Sequence, residues 1–157
     1  MAGEVSENQV KSAYVLNFAK FMEWPTETFS DTNKINLCVL GNKALSGALL
    51  ELDGRKAGGR ALHIIPYTNT SDTFDTCHLL FIGESEQRRL NVIIKALGAA
   101  PVLTISDMDD FAEKGGGIGL VLHDNKIGFE VNLAAFQKSK LHLPGQLLNL
   151  ASRVFER

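Results

Sequence analysis

The sequence predicts an α/β fold in which a mixed sheet of about five to six strands is flanked by helices, all in a single layered domain. Short apolar runs alternate along the chain with helical patterns of about a dozen residues, as in layered α/β proteins. Two of these runs, Cys38–Leu40 and Leu79–Ile82, are apolar throughout and predict strands that are covered on both faces. A length of 157 residues suits one domain, and no repeat or linker divides it.

The first predicted element is a helix that begins near residue 7 and ends at Pro25. Ser6 and Gln9 have the spacing of a capping box, and proline disfavours helical geometry in the residue before it. The apolar positions recur at helical spacing and predict the buried face: Val10, Ala13, Tyr14, Phe18 and Phe21. On residue types alone, this segment is a core helix with a solvated edge.

Strands and helices then alternate up to residue 105. The predicted strands cover residues 35–40, 61–65, 77–82 and 102–105, and the predicted helices cover residues 44–52 and 86–97. Between them lie a basic, glycine-rich loop at 54–60 and a polar connection at 67–75. Ser85 is expected to be the N-cap of the helix that follows it, because its hydroxyl can accept a hydrogen bond from the first turn.

The last third of the chain predicts a β-hairpin between short helices. The hairpin covers residues 118–132, because a turn at 123–125 separates two strand patterns. Three glycines at 115–117 lead into it and permit a close backbone approach or a bulge. One helical turn precedes the glycines and two helices follow the hairpin, at residues 109–114, 133–138 and 144–156.

The second strand of this hairpin has two different faces. Its apolar face carries Ile127, Phe129 and Val131, by the two-residue period of a strand. The opposite face is more polar and carries Lys126, Gly128, Glu130 and Asn132. We expect this strand to be an edge of the sheet, so that its polar face and unpaired backbone groups are open to a partner. A solvated face and a homodimer contact are the alternatives.

Charge and hydropathy exclude two classes of protein. A formal net charge of −2, without a basic stripe, excludes the electrostatic pattern of a nucleic-acid-binding protein. No apolar run approaches the roughly 20 residues that span a bilayer. The first residues also lack the basic and apolar regions of a signal peptide, which by itself predicts a cytoplasmic protein.

The motifs of nucleotide, acyl-transfer and metal chemistry are incomplete. Gly41–Gly47, after the first predicted strand, matches neither of the glycine-rich phosphate-binding patterns. Gly83–Gln87 lacks the second glycine of a nucleophile elbow. No CxxC or HxxxH spacing occurs, and the histidines are scattered singly. The sequence therefore predicts no cofactor, no metal site and no enzymatic activity.

Six sequence blocks span nearly the whole chain. The first is Asn17–Pro25, at the end of the first predicted helix. The others lie at residues 37–41, 77–82, 101–107, 126–133 and 147–151. In content and order these blocks resemble the YfiR family, periplasmic proteins that repress a membrane-bound diguanylate cyclase. Two features depart from the family pattern: a second cysteine pair of some members is missing, and Gly128 stands where members tend to have a basic residue.

The resemblance implies a location, a function and partners. It implies a periplasmic protein that binds the periplasmic domain of an inner-membrane diguanylate cyclase and holds the enzyme off, which tunes cyclic-di-GMP signalling and biofilm formation. Release by an outer-membrane lipoprotein or by a change of redox state, a small-molecule ligand and a homodimer are further expectations. Residues 1–3, Met-Ala-Gly, then fit a start placed on a mature chain whose signal peptide has been removed.

The two cysteines, Cys38 and Cys77, lie in predicted buried strands. Taken alone, the two cysteines are interpreted as small buried apolar residues, because free cysteine is among the most buried residue types. The resemblance implies instead that they form a disulfide, for which their α-carbons must lie within about 7 Å of each other.

The candidate contacts with a partner or ligand come from the first family block, the basic loop and the hairpin region. They are Lys20, Glu23, Trp24, Arg55, Arg60, Gly116, Glu130 and Asn132. Trp24 is also expected to be largely buried by residues distant in sequence. The basic loop is either solvated or able to hold an anionic small molecule. The alternative function is a small-molecule sensor or carrier, with a pocket at the carboxyl ends of the strands near Gly41 and Gly83.

Overall fold

The computed structural model describes residues 6–29, 33–41, 43–67 and 74–156. Most of the polar connection predicted at 67–75 lies outside these residues, as do the first residues of the chain. None of the helices in the described ranges is long and apolar enough to cross a membrane.

The strands form one curled sheet of eight strands with helices on both faces, which confirms the α/β class. The strands are β1 Lys34–Leu40, β2 Lys56–Ala57, β3 Arg60–Tyr67, β4 Leu79–Ile82, β5 Leu103–Ser106, β6 Ile118–His123, β7 Lys126–Asn132 and β8 Arg153–Phe155. Their order across the sheet is β2-β3-β1-β4-β5-β6-β7-β8. All six predicted strands are present, but the prediction of five to six strands is too small, because it lacks the short strands β2 and β8.

Strand direction makes the sheet mixed, as predicted. From β3 to β6 the neighbouring strands are parallel, β6 and β7 form the antiparallel hairpin, and β8 is parallel to β7. Because β8 pairs with β7, the expectation that β7 is an edge strand is wrong. The sheet ends instead at β8, and no strand in the described residues pairs with its outer side.

In the described residues, five α-helices and two short 3₁₀-helices surround the sheet. They are α1 Glu7–Phe21, α2 Lys43–Leu50, α3 Leu90–Leu97, α4 Leu133–Ser139 and α5 Gly145–Leu148, with 3₁₀-helices at Thr26–Phe29 and Glu84–Arg89. Of the helix predicted at 144–156, only α5 is helical. The rest of that prediction is wrong, because β8 forms backbone pairs with β7. Ser85 is not an N-cap either: Gly83 precedes the 3₁₀-helix, and no side chain caps it.

Helix α1 begins as predicted and ends earlier than predicted. Ser6 Oγ accepts a hydrogen bond from Gln9 N at 3.1 Å, and Gln9 Oε1 accepts one from Ser6 N at 3.1 Å, which is a capping box. The helix stops at Phe21 because Glu23 forms a two-way backbone bridge with His142. The buried face of α1 also differs from the predicted one by a rotation of about one residue, because Ala13 and Phe21 are exposed. The residues buried there are Val15, Phe18, Ala19 and Met22.

The core has two layers, one on each face of the sheet. Alternation along β1 points Leu37 and Val39 into the layer under α1 and α2, where Phe18 also packs. Cys38 and Leu40 point into the opposite layer, under α3. Central strands covered on both faces are what the continuous apolar runs predict.

Candidate functional site

The expected disulfide between Cys38 and Cys77 is present in the structure. Cys38 lies in the middle of β1 and Cys77 lies two residues before β4, and their α-carbons are 5.8 Å apart. Both residues are buried in the layer under α3. The bond therefore ties β1 to the segment that leads into β4, inside the core.

A cavity of about 320 Å³ lies where the end of α1 meets β2 and the start of β3. Four of the candidate residues come together here, although they lie up to 40 positions apart: Lys20, Glu23, Trp24 and Arg60. Together with Phe29 and Gly58, they define what we call the Arg60 cavity. Arg55 is exposed in the turn before β2 and does not line it.

Aromatic rings form one wall of the Arg60 cavity. The Trp24 and Phe29 rings meet edge to face with centroids 5.5 Å apart, and the centroids of Phe29 and His78 are 4.6 Å apart. Trp24 Nε1 donates a hydrogen bond to the backbone oxygen of His78 at 3.2 Å. Most of Trp24 is buried, and its partner His78 lies 54 positions away, in agreement with the expectation that distant residues bury most of this side chain.

The charged guanidinium of Arg60 and the imidazole of His78 both lie beside this aromatic wall. The guanidinium carbon of Arg60 lies 4.2 Å from the centroid of the Phe29 ring, which is a cation–π contact. Burial, and next the positive charge of Arg60, lower the pKa of His78. His78 Nδ1 accepts a hydrogen bond from Asn36 N at 2.8 Å, which requires the neutral imidazole.

We expect the free energy of unfolding to fall as the pH drops below about 6.5, the ordinary pKa of histidine. Between that value and the lowered pKa of His78, the unfolded chain binds a proton that the folded protein does not. Urea unfolding at about pH 7.5 and about pH 5.5 measures this loss. His78→Gln should make it smaller, whereas exposed His123→Gln should leave it unchanged. Equal losses in wild type and His78→Gln would contradict the assignment.

The second candidate region is an open cavity of about 690 Å³ on the polar face of the hairpin and β8. We call it the Glu130 surface, and its residues include Val121, Lys126, Gly128, Glu130, Ser152 and Arg153. The predicted faces of β7 are confirmed up to Val131, because Phe129 and Val131 are buried in the core while Glu130 is partly exposed. The expectation that Asn132 is open to a partner is wrong. Partial burial raises the pKa of Glu130; the charge of Arg153 opposes this, and the acidic groups Asp110 and Glu113 add to it.

Gly116 and Asn132, the other candidates in this region, lie in the interior. Asn132 is 1% exposed, and its Nδ2 donates to the Ala112 oxygen at 2.7 Å. Its Oδ1 accepts from Ala135 N at 3.2 Å and caps α4. A Cβ atom on Gly116 would overlap the ring of Phe111. These two residues hold the hairpin in place and offer no surface to a partner.

A partly buried ion cluster between α1 and the end of β5 was not anticipated from the sequence. Lys11 Nζ lies 3.0 Å from Asp107 Oδ2 and 2.7 Å from Glu7 Oε2. Burial lowers the pKa of Lys11, but the hydrogen bonds and the charge attraction from Glu7 and Asp107 together outweigh it, so this pKa is raised. Lysine on an otherwise apolar helix face gives no signal that distinguishes it from a solvated residue. In the described part of the chain, no group of three or more acidic, histidine or cysteine side chains is placed to hold a metal.

The carboxyl ends of β1 and β4 also border a cavity. The chain leaves β1 toward β3 and leaves β4 toward β5, so these two ends form the crevice typical of doubly wound sheets. A cavity of about 310 Å³ lies beside Gly41 and is lined by Tyr67 and Glu86. Glu86 Oε1 is buried and has no hydrogen-bond partner among the described residues.

These features define a disulfide-bonded α/β domain with a doubly wound sheet. Within that class, the chain belongs to the YfiR/HmsC-like family: the family model DUF4154 (YfiR/HmsC-like) matches residues 8–152. The match covers nearly the whole chain and confirms the family resemblance of the sequence blocks.

Two solved structures share the fold at low sequence identity. A conserved domain protein from Vibrio cholerae O1 biovar eltor str. N16961 is 12% identical, with a TM-score of 0.60 over 97% of this chain and 61% of that chain. The ABC domain in complex with L-Trp from Streptococcus pneumonia is 10% identical, with a TM-score of 0.57 over 77% of this chain and 55% of that chain. The chain therefore spans less than two thirds of either protein, and the likeness concerns the fold alone.

Proposed function

We propose that this protein is a periplasmic regulator that represses a membrane diguanylate cyclase by binding the periplasmic domain of that enzyme. Membership of the YfiR/HmsC-like family supports this role. Repression across a membrane needs only different affinities for two conformations of the cyclase. A difference of about 3 kcal/mol shifts their ratio by about two orders of magnitude. The protein acts by contact rather than by turnover.

The observation that carries the choice of surface is the exposed end of the sheet. The polar face of β7 is open at Glu130, and β8 beside it presents the outer side of its backbone. Val154 in β8 is 43% exposed and adds an apolar side chain next to these backbone groups. A strand of the cyclase domain can pair with β8, while Glu130 and Arg153 provide charge contacts that fix its register.

We expect Glu130→Ala and Val154→Asp each to weaken capture of the cyclase's periplasmic domain by about tenfold. The exposed residue Glu51 lies outside the Glu130 surface, so Glu51→Ala is a matched control that should bind like wild type. Binding is measured by pull-down and titration, after circular dichroism has shown that each variant is folded. If both test variants bind as tightly as wild type, the Glu130 surface is not the interface.

The redox state and the oligomeric state of the protein are controlled in this binding assay. Wild type is measured oxidised and reduced, because the family resemblance implies that a change of redox state could release the partner. Sedimentation of the chain alone shows whether Val154→Asp also breaks a homodimer. If wild type binds no cyclase domain in either redox state, the regulator proposal fails.

Sensing of a small molecule is the second candidate function. The cavity beside Gly41 favours it, because the buried Glu86 Oε1 in its wall is an acceptor without a partner among the described residues. A ligand with an amine and an apolar body would satisfy that oxygen. Thermal-shift screening of amines tests this role, and Glu86→Gln should remove any stabilisation they give.

A further inference from the structure

An aromatic ring covers one face of the Arg60 guanidinium, and no described residue accepts a hydrogen bond from Arg60 Nε. The Phe29 ring covers the guanidinium at 4.2 Å. Arg60 Nε is buried without a hydrogen-bond partner, and no carboxylate of the described residues lies within 4.0 Å of Arg60. A buried donor without an acceptor is destabilising, and the planar fork of arginine matches the two oxygens of a carboxylate. The side chain is therefore preorganised for an acceptor that none of the described residues supplies.

The remaining lining of the Arg60 cavity favours a small anion. Lys20 supplies a second positive charge, and Glu23 is the one acidic residue among the described lining residues, which therefore carry a net positive charge. The Trp24 and Phe29 rings provide flat apolar walls. A volume of about 320 Å³ is at the lower end of known ligand sites and suits a molecule of few atoms.

We propose that the Arg60 cavity binds a small organic carboxylate, with its two oxygens on the guanidinium of Arg60 and its carbon body against the aromatic wall. Lys20 adds charge attraction, and Glu23 weakens the binding. This inference goes beyond the regulatory contact, because the cavity lies beside β2 and β3, while the Glu130 surface lies on β6 to β8 at the other end of the sheet. It concerns the isolated protein and needs no cyclase.

The position of His78 provides an independent readout. The charge of Arg60 contributes to the lowered pKa of His78, after burial. An anion bound to Arg60 offsets that charge, so the titration midpoint of the His78 ring should move upward when the cavity is filled.

The experiment uses the fluorescence of Trp24, the only tryptophan of the chain. Wild type is titrated with acetate, benzoate and inorganic phosphate as probes at constant ionic strength. We expect saturable changes with acetate and benzoate, tighter binding of benzoate, and weaker binding of phosphate, which is not planar. Arg60→Gln should weaken benzoate binding by at least about tenfold, the loss expected for a charge-assisted pair. Glu23→Gln should tighten it.

Arg55→Gln is the matched control, because Arg55 is a neighbouring basic residue that does not line the cavity. Its affinity should stay within about twofold of wild type. Equal benzoate affinity in Arg60→Gln and wild type would overturn the proposal, and saturation by phosphate alone would overturn the choice of a carboxylate. If Arg60→Gln does not fold, nuclear magnetic resonance of wild type decides: an unchanged His78 midpoint at high benzoate concentration would also overturn it. None of these outcomes bears on binding to the cyclase.

Discussion

Replacing both cysteines by alanine is expected to lower the free energy of unfolding by about 4 kcal/mol. The disulfide joins Cys38 and Cys77 across 39 positions, and closing such a loop mainly reduces the conformational freedom of the unfolded chain. Both residues are buried, so the sulfur packing that alanine removes acts in the same direction. Urea unfolding of oxidised wild type and of Cys38→Ala/Cys77→Ala measures the difference.

Reduction of the wild-type protein separates the two causes of this loss. Reduced wild type keeps its sulfur atoms but loses the bond, so it should be nearly as unstable as the double variant. A loss below about 1 kcal/mol in both proteins would contradict a stabilising role for the bond. Its role would then be confined to redox control of the partner contact.

The sequence contains enough information for the central part of the fold. Continuous apolar runs identify the covered strands, because a strand buried on both faces has no polar positions. The capping box at Ser6 identifies the start of α1, since its two hydrogen bonds are local. Period-two alternation assigns the faces of β7 correctly for the same reason.

Non-local pairing explains the errors. Strand β8 has three residues, and the helical pattern before it is overridden by its bonds to β7. Helix α1 ends at Phe21 rather than at Pro25, because Glu23 pairs with His142, more than a hundred positions away. Short segments have weak local preferences, so their partners decide their structure.

The Arg60 cavity shows the same limit. Lys20, Trp24 and Arg60 could be named as candidates from the sequence, but their convergence depends on how α1 lies against β2 and β3. Phe29 and His78 were missed, because one lies between the first predicted helix and the first predicted strand and the other is a single histidine beside an apolar run. Neither pattern differs from that of an ordinary loop or core residue.

Gly116→Asp is expected to lower the free energy of unfolding by more than about 4 kcal/mol, by overpacking and by burying a charge. Gly116 N donates to the Phe111 oxygen at 3.0 Å, which holds the backbone of Gly116 close to Phe111. A Cβ atom there would overlap that ring, and Phe111 is 1% exposed and packed under α3. A carboxylate at this position has neither space nor water. Thermal and urea unfolding measure the loss.

The matched control is Gly47→Asp, because a Cβ atom on Gly47 meets nothing within 4 Å and the residue is exposed on α2. It should change the free energy of unfolding by less than about 1 kcal/mol, since glycine itself is unfavourable in a helix. Gly116→Ala removes the charge and should fall between the two aspartate variants. If Gly116→Asp is as stable as Gly47→Asp, the segment at 115–117 is open rather than packed on Phe111. Gly116 would then again be a candidate for the partner contact. If Gly116→Asp instead loses much of its free energy of unfolding, only surface variants such as Glu130→Ala can test the partner contact.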